Sequence, residues 1–364
     1  MSQNLYEVSK QWSTRPDDER FLSVQELYDS VRSRRENSTQ IDAALEHLKI
    51  KTDRKDLFLL NPETESEVKL NNWSFNQLTS LVKAPASYLK RQPPEMAAMN
   101  LQWDIANADR ADMRLLQTET THGPEMRAIN SSTYGRVWDE QVVRLVLENV
   151  DLDQWKVPHA SYATKNPKLA STLYASDRDV FMFLVNEDTP VELPGNGGRD
   201  VMFRGFIIGN SEVGSRSLFL KQFLYRTVCD NRIIWGVKNQ TEARIVHSSG
   251  APQRFKRELR PALNRFLTEG TGETVKVIDA ARNFQVGKTQ NEVQKFLNKQ
   301  TGFTKVLTKA AMERAEQEET ENPFSLWSLI QGVTSVAKDS KHSDKRLTLE
   351  QTGSNLMKLA EARV

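Results

Sequence analysis

Three things are scarce in this 364-residue chain, and each scarcity excludes something. It has one cysteine, Cys229, so neither an internal disulfide nor a cysteine-based zinc site can form. Cys229 itself reads as a small buried hydrophobe in an apolar segment. Long apolar runs are absent: the longest, Val180 to Val185, has six residues, whereas a membrane-spanning helix needs roughly 20. The opening MSQNLYEV has neither the basic region nor the apolar stretch of a secretory signal. A reducing, cytoplasmic setting without a membrane partner is the expectation. Histidine is sparse too: His47, His122, His159, His247 and His342 include no pair at the i, i+4 spacing of a zinc-binding helix. The glycine motifs are incomplete. Gly287-Lys288-Thr289 has Arg282 where a phosphate loop requires glycine, and Gly270-Thr271-Gly272 lacks the third glycine of a dinucleotide fingerprint. No cofactor is expected.

What is plentiful is charge, and it is unevenly placed. The chain carries 50 Lys and Arg against 48 Asp and Glu, a net of +2. From Arg199 to Lys309, however, 20 basic residues face 9 acidic ones, giving +11 there and −9 elsewhere. Such segregation points to a polyanion, because cations that neutralise phosphates release condensed counterions.

Periodicity divides the chain into three parts. Residues 1–106 read as a helical N-terminal region. Helices are expected over about 17–35, after a Ser74 cap, and after Pro93-Pro94, where Met96, Met99, Leu101 and Trp103 are expected to pack. Residues 107–250 read as an α+β core whose main sheet is antiparallel. Its expected strands are Arg114 to Gln117, Met126 to Ile129, Ser171 to Tyr174, Val180 to Val185, Val201 to Gly209 and Ile233 to Val237. One helix, Asp139 to Asn149, interrupts them, and a Pro194 to Gly198 turn cluster is read as a hairpin. Residues 251–364 return to helical spacing, with stripes from Phe255 to Leu267 and from Leu326 to Ala337. The acidic run from Glu313 to Glu319 reads as a surface or hinge segment. The fold class is therefore α+β, a mainly antiparallel sheet core between helical terminal regions.

The chemistry-bearing residues lead to three readings. Basic and aromatic residues interleave after Gly209, a mixture suited to single-stranded nucleic acid, since cations hold phosphates while rings stack on bases. On this reading Arg136, Arg204, Arg216, Lys221, Arg226, Arg232 and Arg244 contact phosphates, and Tyr134 and Tyr225 stack. A second reading gathers Asp177, Asp179 and Glu212 around magnesium as a nuclease. A third makes the chain a structural or interaction protein whose C-terminal helices bind a partner. The first is the leading expectation, with single-stranded DNA as the partner, no catalytic residue assigned, and room for a homo-oligomer.

Several motifs also carry a resemblance. Trp73-Ser74-Phe75, Ala84 to Leu89, Ser132 to Trp138, Asn210-Ser211-Glu212-Val213-Gly214, Val228-Cys229, Ile234-Trp235-Gly236 and Leu326-Trp327 with Gln331 to Thr334 resemble the phage/plasmid-like domain-of-unknown-function family 932. The resemblance implies a setting on phages, plasmids or other mobile elements, where an annealing or recombination factor would be at home. It assigns no active site.

Overall fold

In an antiparallel sheet, residues two apart share a face, so one strand can present an apolar side to covering helices and another set of side chains to the opposite layer. The long strands of this chain do so on both faces. A computed structural model describes residues 19–157, 172–193, 200–226, 231–235, 243–268, 272–318, 322–339 and 343–364.

The strands in chain order are β1 (Arg20–Phe21), β2 (Ser38–Ala44), β3 (Ile50–Thr52), β4 (Leu57–Leu60), β5 (Glu67–Leu70), β6 (Asp112–Thr120), β7 (Gly123–Ser131), β8 (Trp155–Lys156), β9 (Leu173–Ala175), β10 (Val180–Leu193), β11 (Asp200–Asn210), β12 (Leu218–Arg226), β13 (Asn231–Trp235) and β14 (Ala243–Ile245). The helices are α1 (Val24–Glu36), α2 (Asn72–Leu81), α3 (Ala86–Leu89), α4 (Pro94–Asn107), α5 (Asp139–Asn149), α6 (Ala251–Arg254), α7 (Arg260–Thr268), α8 (Gly272–Asn283), α9 (Gln290–Leu297), α10 (Lys305–Glu318), α11 (Leu326–Lys338) and α12 (Ser343–Glu361), with a π-helical turn, Phe255–Leu259, joining α6 to α7.

These strands form two sheets. The larger runs β1-β9-β10-β11-β12-β13, with β14 beside β12 and β8 beside β10; the smaller runs β2-β6-β7-β5-β4-β3. Pairing is antiparallel throughout except for β5 with β7. The α+β class holds, dominated by antiparallel pairing. Residues 1–106, read as helical, nevertheless supply four strands of the smaller sheet, and that sheet continues across residue 107 through β6 and β7. Strands of three to seven residues are too short to outweigh the helical spacing around them in sequence; tertiary pairing fixes them. Helix α1 starts at its Ser23 cap rather than near residue 17, because Arg20 and Phe21 pair with β9. Asn71, not Ser74, caps α2: its side chain accepts from the Ser74 N–H. The acidic run to Glu318 continues α10.

On one face of the larger sheet Val180, Met182, Leu184, Phe206, Ile208, Leu218 and Leu220 meet α1, α5 and α7 through Leu27, Val31, Val142, Val146, Leu263 and Phe266. The far ends of β10 to β12 pack against the C-terminal helices through Val191, Met202 and Leu224. Helix α11 is buried nearly all round, its polar stripe of Ser328, Gln331, Thr334 and Ser335 included. Gly332 lets it approach α10 closely, since a Cβ there would stand 2.1 Å from the Ala311 carbonyl oxygen. No helix among the described residues is long and apolar enough to cross a membrane.

The opposite face of the larger sheet is aromatic. Phe181, Phe183, Val185, Ile207 and Phe223 cluster there with Tyr174, Phe203 and Phe219. Gly205 pairs with Phe223 and Gly209 with Phe219. A Cβ on Gly205 would lie 2.3 Å from the Phe223 ring, and one on Gly209 would lie 2.8 Å from the Phe219 ring. Each ring therefore rests across a glycine of the next strand. Phe223, 1% exposed, should cost about 3–5 kcal/mol on replacement by alanine. Gly205→Ala should also destabilise in the native background, yet cost much less when added to Phe223→Ala. Urea denaturation of the four proteins tests this coupling, and additive costs would refute the stacking.

Candidate nucleic-acid interface

The segment Asn210 to Gly214 leaves the end of β11 and enters the space between the two sheets. Glu212 is 1% exposed, and a buried carboxylate must be paired. Arg127 of β7 reaches it at 2.6 Å and Arg34 of α1 at 3.5 Å, while the Asp139 N–H at the start of α5 donates to its other oxygen at 3.1 Å. Arg136 donates to the Glu212 carbonyl. Asp139, fully buried, accepts from Arg34 at 3.0 Å and from Asn210 at 2.7 Å. Three side chains, Trp73, Gln77 and Asn130, donate to the Val213 carbonyl. Gly214 then turns at φ +90°, a conformation that favours glycine.

The electrostatics follow from this packing. Burial alone pushes the Glu212 carboxyl up, but Arg127 and Arg34 outweigh it and hold the group at about 2. Burial, reinforced by the adjacent Glu212 charge, raises Asp139 against the opposing pull of Arg34. Burial pushes Arg136 down to about 10, raises the Tyr134 hydroxyl and lowers His247. Tyr134 and His247 stack with ring centres 5.1 Å apart.

The sequence-derived contact residues separate into groups. Arg136 is 6% exposed and lies inside this network. Tyr134 is half-buried and donates to the Ser211 carbonyl. Arg204 is on the helix-covered face of the larger sheet, over the Phe266 ring and donating to the Phe266 carbonyl. Arg216 pairs with Asp179 at 3.0 Å and lies over the Phe181 ring. Lys221, half-buried, is in register with Ile207, which in turn pairs with Phe183 on the aromatic face. Arg244 is exposed, bonds Ser217, and is paired in register with Phe219. Tyr225, Arg226 and Arg232 contribute backbone pairing in β12 and β13, Tyr225 to Arg232 and Arg226 to Asn231; their side chains, like Cys229, lie outside the described residues. The described side chains of this set do not form one contiguous patch, Arg136 lying inside the junction and Arg204 on the helix-covered face.

Nor do the three carboxylates of the nuclease reading converge. Asp179 is engaged by Ser176 and Arg216, Glu212 by Arg127 and Arg34, and half-exposed Asp177 by Arg178. Among the described residues no group of three or more His, Cys, Asp or Glu could hold a metal ion.

A cationic surface missing from the sequence reading lies beside Arg244. Between Gln253 and Arg265 the chain carries Arg254, Lys256, Arg257, Arg260 and Arg265 with Glu258 as the only acid. Phe255, Leu259, Leu263 and Phe266 turn this segment inward, so helical spacing turns Lys256, Arg257 and Arg260 to solvent. Arg254 donates to the Arg244 carbonyl at 3.3 Å, joining helix and strand. Arg254 and Arg257 share Glu258, whose carboxyl their hydrogen bonds hold at about 2. Among the described residues, Lys256 and Arg260 have no carboxylate partner. The density of basic residues between Gln253 and Arg265 is the sequence signal for this surface, overlaid on an apolar stripe that signals packing.

Comparison of the chain with protein-family models, with curated proteins and with solved structures returns no match.

Removing one member of a buried ion pair strands the other, so Glu212→Gln should cost roughly 3–5 kcal/mol in urea denaturation. Because its folded value lies below the ordinary 4.5, Glu212 stabilises the fold above that ordinary value and loses its contribution as pH falls toward about 2. Across this window the loss should be smaller in Glu212→Gln than in the native protein, as measured by denaturation at a series of pH values.

Proposed function

We propose that this chain binds single-stranded nucleic acid, with annealing or recombination of mobile DNA as its setting. The observation that carries the reading is the exposed cationic stripe of Lys256, Arg257 and Arg260, adjoining Arg244 within the segment of net charge +11. A helix surface dense in cations attracts phosphates whatever their base sequence. Of the rings on the aromatic face of the larger sheet, Phe181, Phe183 and Phe223 are buried, whereas Phe219, partly exposed and paired in register with Arg244, is of the kind that stacks on bases. The contact set changes from the sequence expectation: Arg244 stays, Lys256, Arg257 and Arg260 join it, and Arg136, Arg204 and Tyr134 serve the fold. No observation favours magnesium chemistry at Asp177, Asp179 and Glu212.

Salt dependence distinguishes phosphate contact from other binding. Each phosphate neutralised on a single strand adds about −0.7 to the slope of log affinity against log salt. Replacing Lys256, Arg257 and Arg260 together with alanine should lower affinity for a labelled oligonucleotide and flatten that slope by about 2, with the fold intact. Arg216→Ala, which breaks the pair with buried Asp179, should instead lower stability. Fluorescence anisotropy over a salt series measures the first effect and urea denaturation the second. Absence of binding at low salt, or a triple variant with an unchanged slope, would overturn the proposal.

A further inference from the structure

The turn between β9 and β10, residues 176–179, is held from several sides. The Ser176 hydroxyl accepts from the Arg178 and Asp179 N–H groups, Ser211 and Ser215 donate to the Arg178 carbonyl, and Arg127 donates to the Asp177 carbonyl at 3.0 Å. The backbone of Arg178 is therefore fixed. Its guanidinium lies over the Trp73 ring at the start of α2, 5.3 Å from the ring centre. The side chain is only 13% exposed, yet among the described residues it donates no hydrogen bond: its Nε–H is shut off from solvent without a partner, and the half-exposed Asp177 carboxylate stands 3.7 Å away. Arginine carries five N–H donors and a permanent charge. Enclosing it without an acceptor is costly.

Lys90, the residue that ends α3, meets the same turn of α2. Its ammonium donates to the Asn72 and Asn76 side-chain oxygens at 2.5 and 2.7 Å, which leaves one proton, and among the described residues no carboxylate pairs with it. Burial, and then the nearby Arg178 charge, hold Lys90 below its ordinary value. The Asn72 Nδ2 group is itself buried without an acceptor, and the first turn of α2 has no acidic residue. Donors accumulate here without acceptors.

We propose that Arg178, Lys90 and Asn72 bind a phosphate group. The three come from different elements and so approach a ligand from different directions, which suits the tetrahedral oxygens of phosphate; a planar carboxylate matches only the guanidinium fork. A phosphate supplies the acceptors that Arg178 lacks and takes the place of Asp177, whose exposure lets it turn to solvent. The site shares no residue with the stripe of Lys256, Arg257 and Arg260. It stands whether or not that stripe binds nucleic acid.

Thermal melting and isothermal titration of the full chain, purified in phosphate-free buffer, test the site. Sodium phosphate should raise the melting temperature above sodium chloride or acetate at matched ionic strength, because a ligand of the folded state stabilises it by mass action. Affinity for inorganic phosphate should fall at least tenfold in Arg178→Met and in Lys90→Met, rise in Asp177→Asn, and stay unchanged when Lys256, Arg257 and Arg260 are replaced together with alanine. Arg178→Met should keep the native melting temperature without phosphate, since its guanidinium donates no hydrogen bond, and Asp177→Asn alters a half-exposed side chain. Competition identifies the source of the phosphate. Displacement of inorganic phosphate by a terminally phosphorylated oligonucleotide alone supports binding of a strand end, displacement by the unphosphorylated form as well supports an internal phosphodiester, and displacement by neither supports a free phosphate or small phosphate ester. A phosphate effect no larger than that of chloride or acetate, an affinity unchanged in Arg178→Met and Lys90→Met, or one weakened by Asp177→Asn would each overturn the proposal.

Discussion

Glu212 holds this protein together in a literal sense. Its carboxylate receives Arg127 from the smaller sheet, Arg34 from the first helix and the backbone of Asp139 from the start of a helix that covers the larger sheet, while its own segment continues the larger sheet. A lone buried carboxylate would be strongly disfavoured. Its position therefore requires the surrounding elements to arrive together. The neighbouring residues repeat the arrangement: Val213 offers its carbonyl to three side chains, and Asn210 ties Asp139 to the strand end. Five consecutive residues thus specify how two sheets meet.

That constraint also explains where the positive charge goes. Arg34, Arg127 and Arg136 are consumed in the junction, and Arg216 is consumed beside it by Asp179. Cations held by buried carboxylates contribute architecture and have little left for a ligand. Lys256 and Arg260, on the outer side of the segment from Gln253 to Arg265, have no such duty, because its apolar side already anchors it to the sheet. The π-helical turn in that segment adds one residue to the local helical turn, a feature often associated with function.

The aromatic layer shows the same economy at the level of packing. Glycines at 205 and 209 remove side chains from one strand so that phenylalanines of the next can lie across it. The wide rings cover backbone that would otherwise be open, and the sheet gains a continuous apolar face.

The sequence by itself determined the class of fold, since period-2 runs in the middle of the chain and period-3.6 stripes at its end can each bury only as strands and helices respectively. Helix α5 and strands β10 and β11 were legible because their apolar patterns are long. It also determined that positive charge is concentrated between Arg199 and Lys309. It could not determine which arginines are spent internally, because pairing depends on carboxylates far away in sequence: Arg127 and Glu212 are 85 residues apart. The strands from Ser38 to Leu70 were hidden for the same reason, being too short to declare themselves without the partners that complete their hydrogen bonds. On α4, two alanines and two aliphatic residues form the buried face, and only the packing revealed that the larger methionines and tryptophan were left outside. Hydrophobicity says that a residue can be buried; the geometry of the opposing surface decides whether there is room.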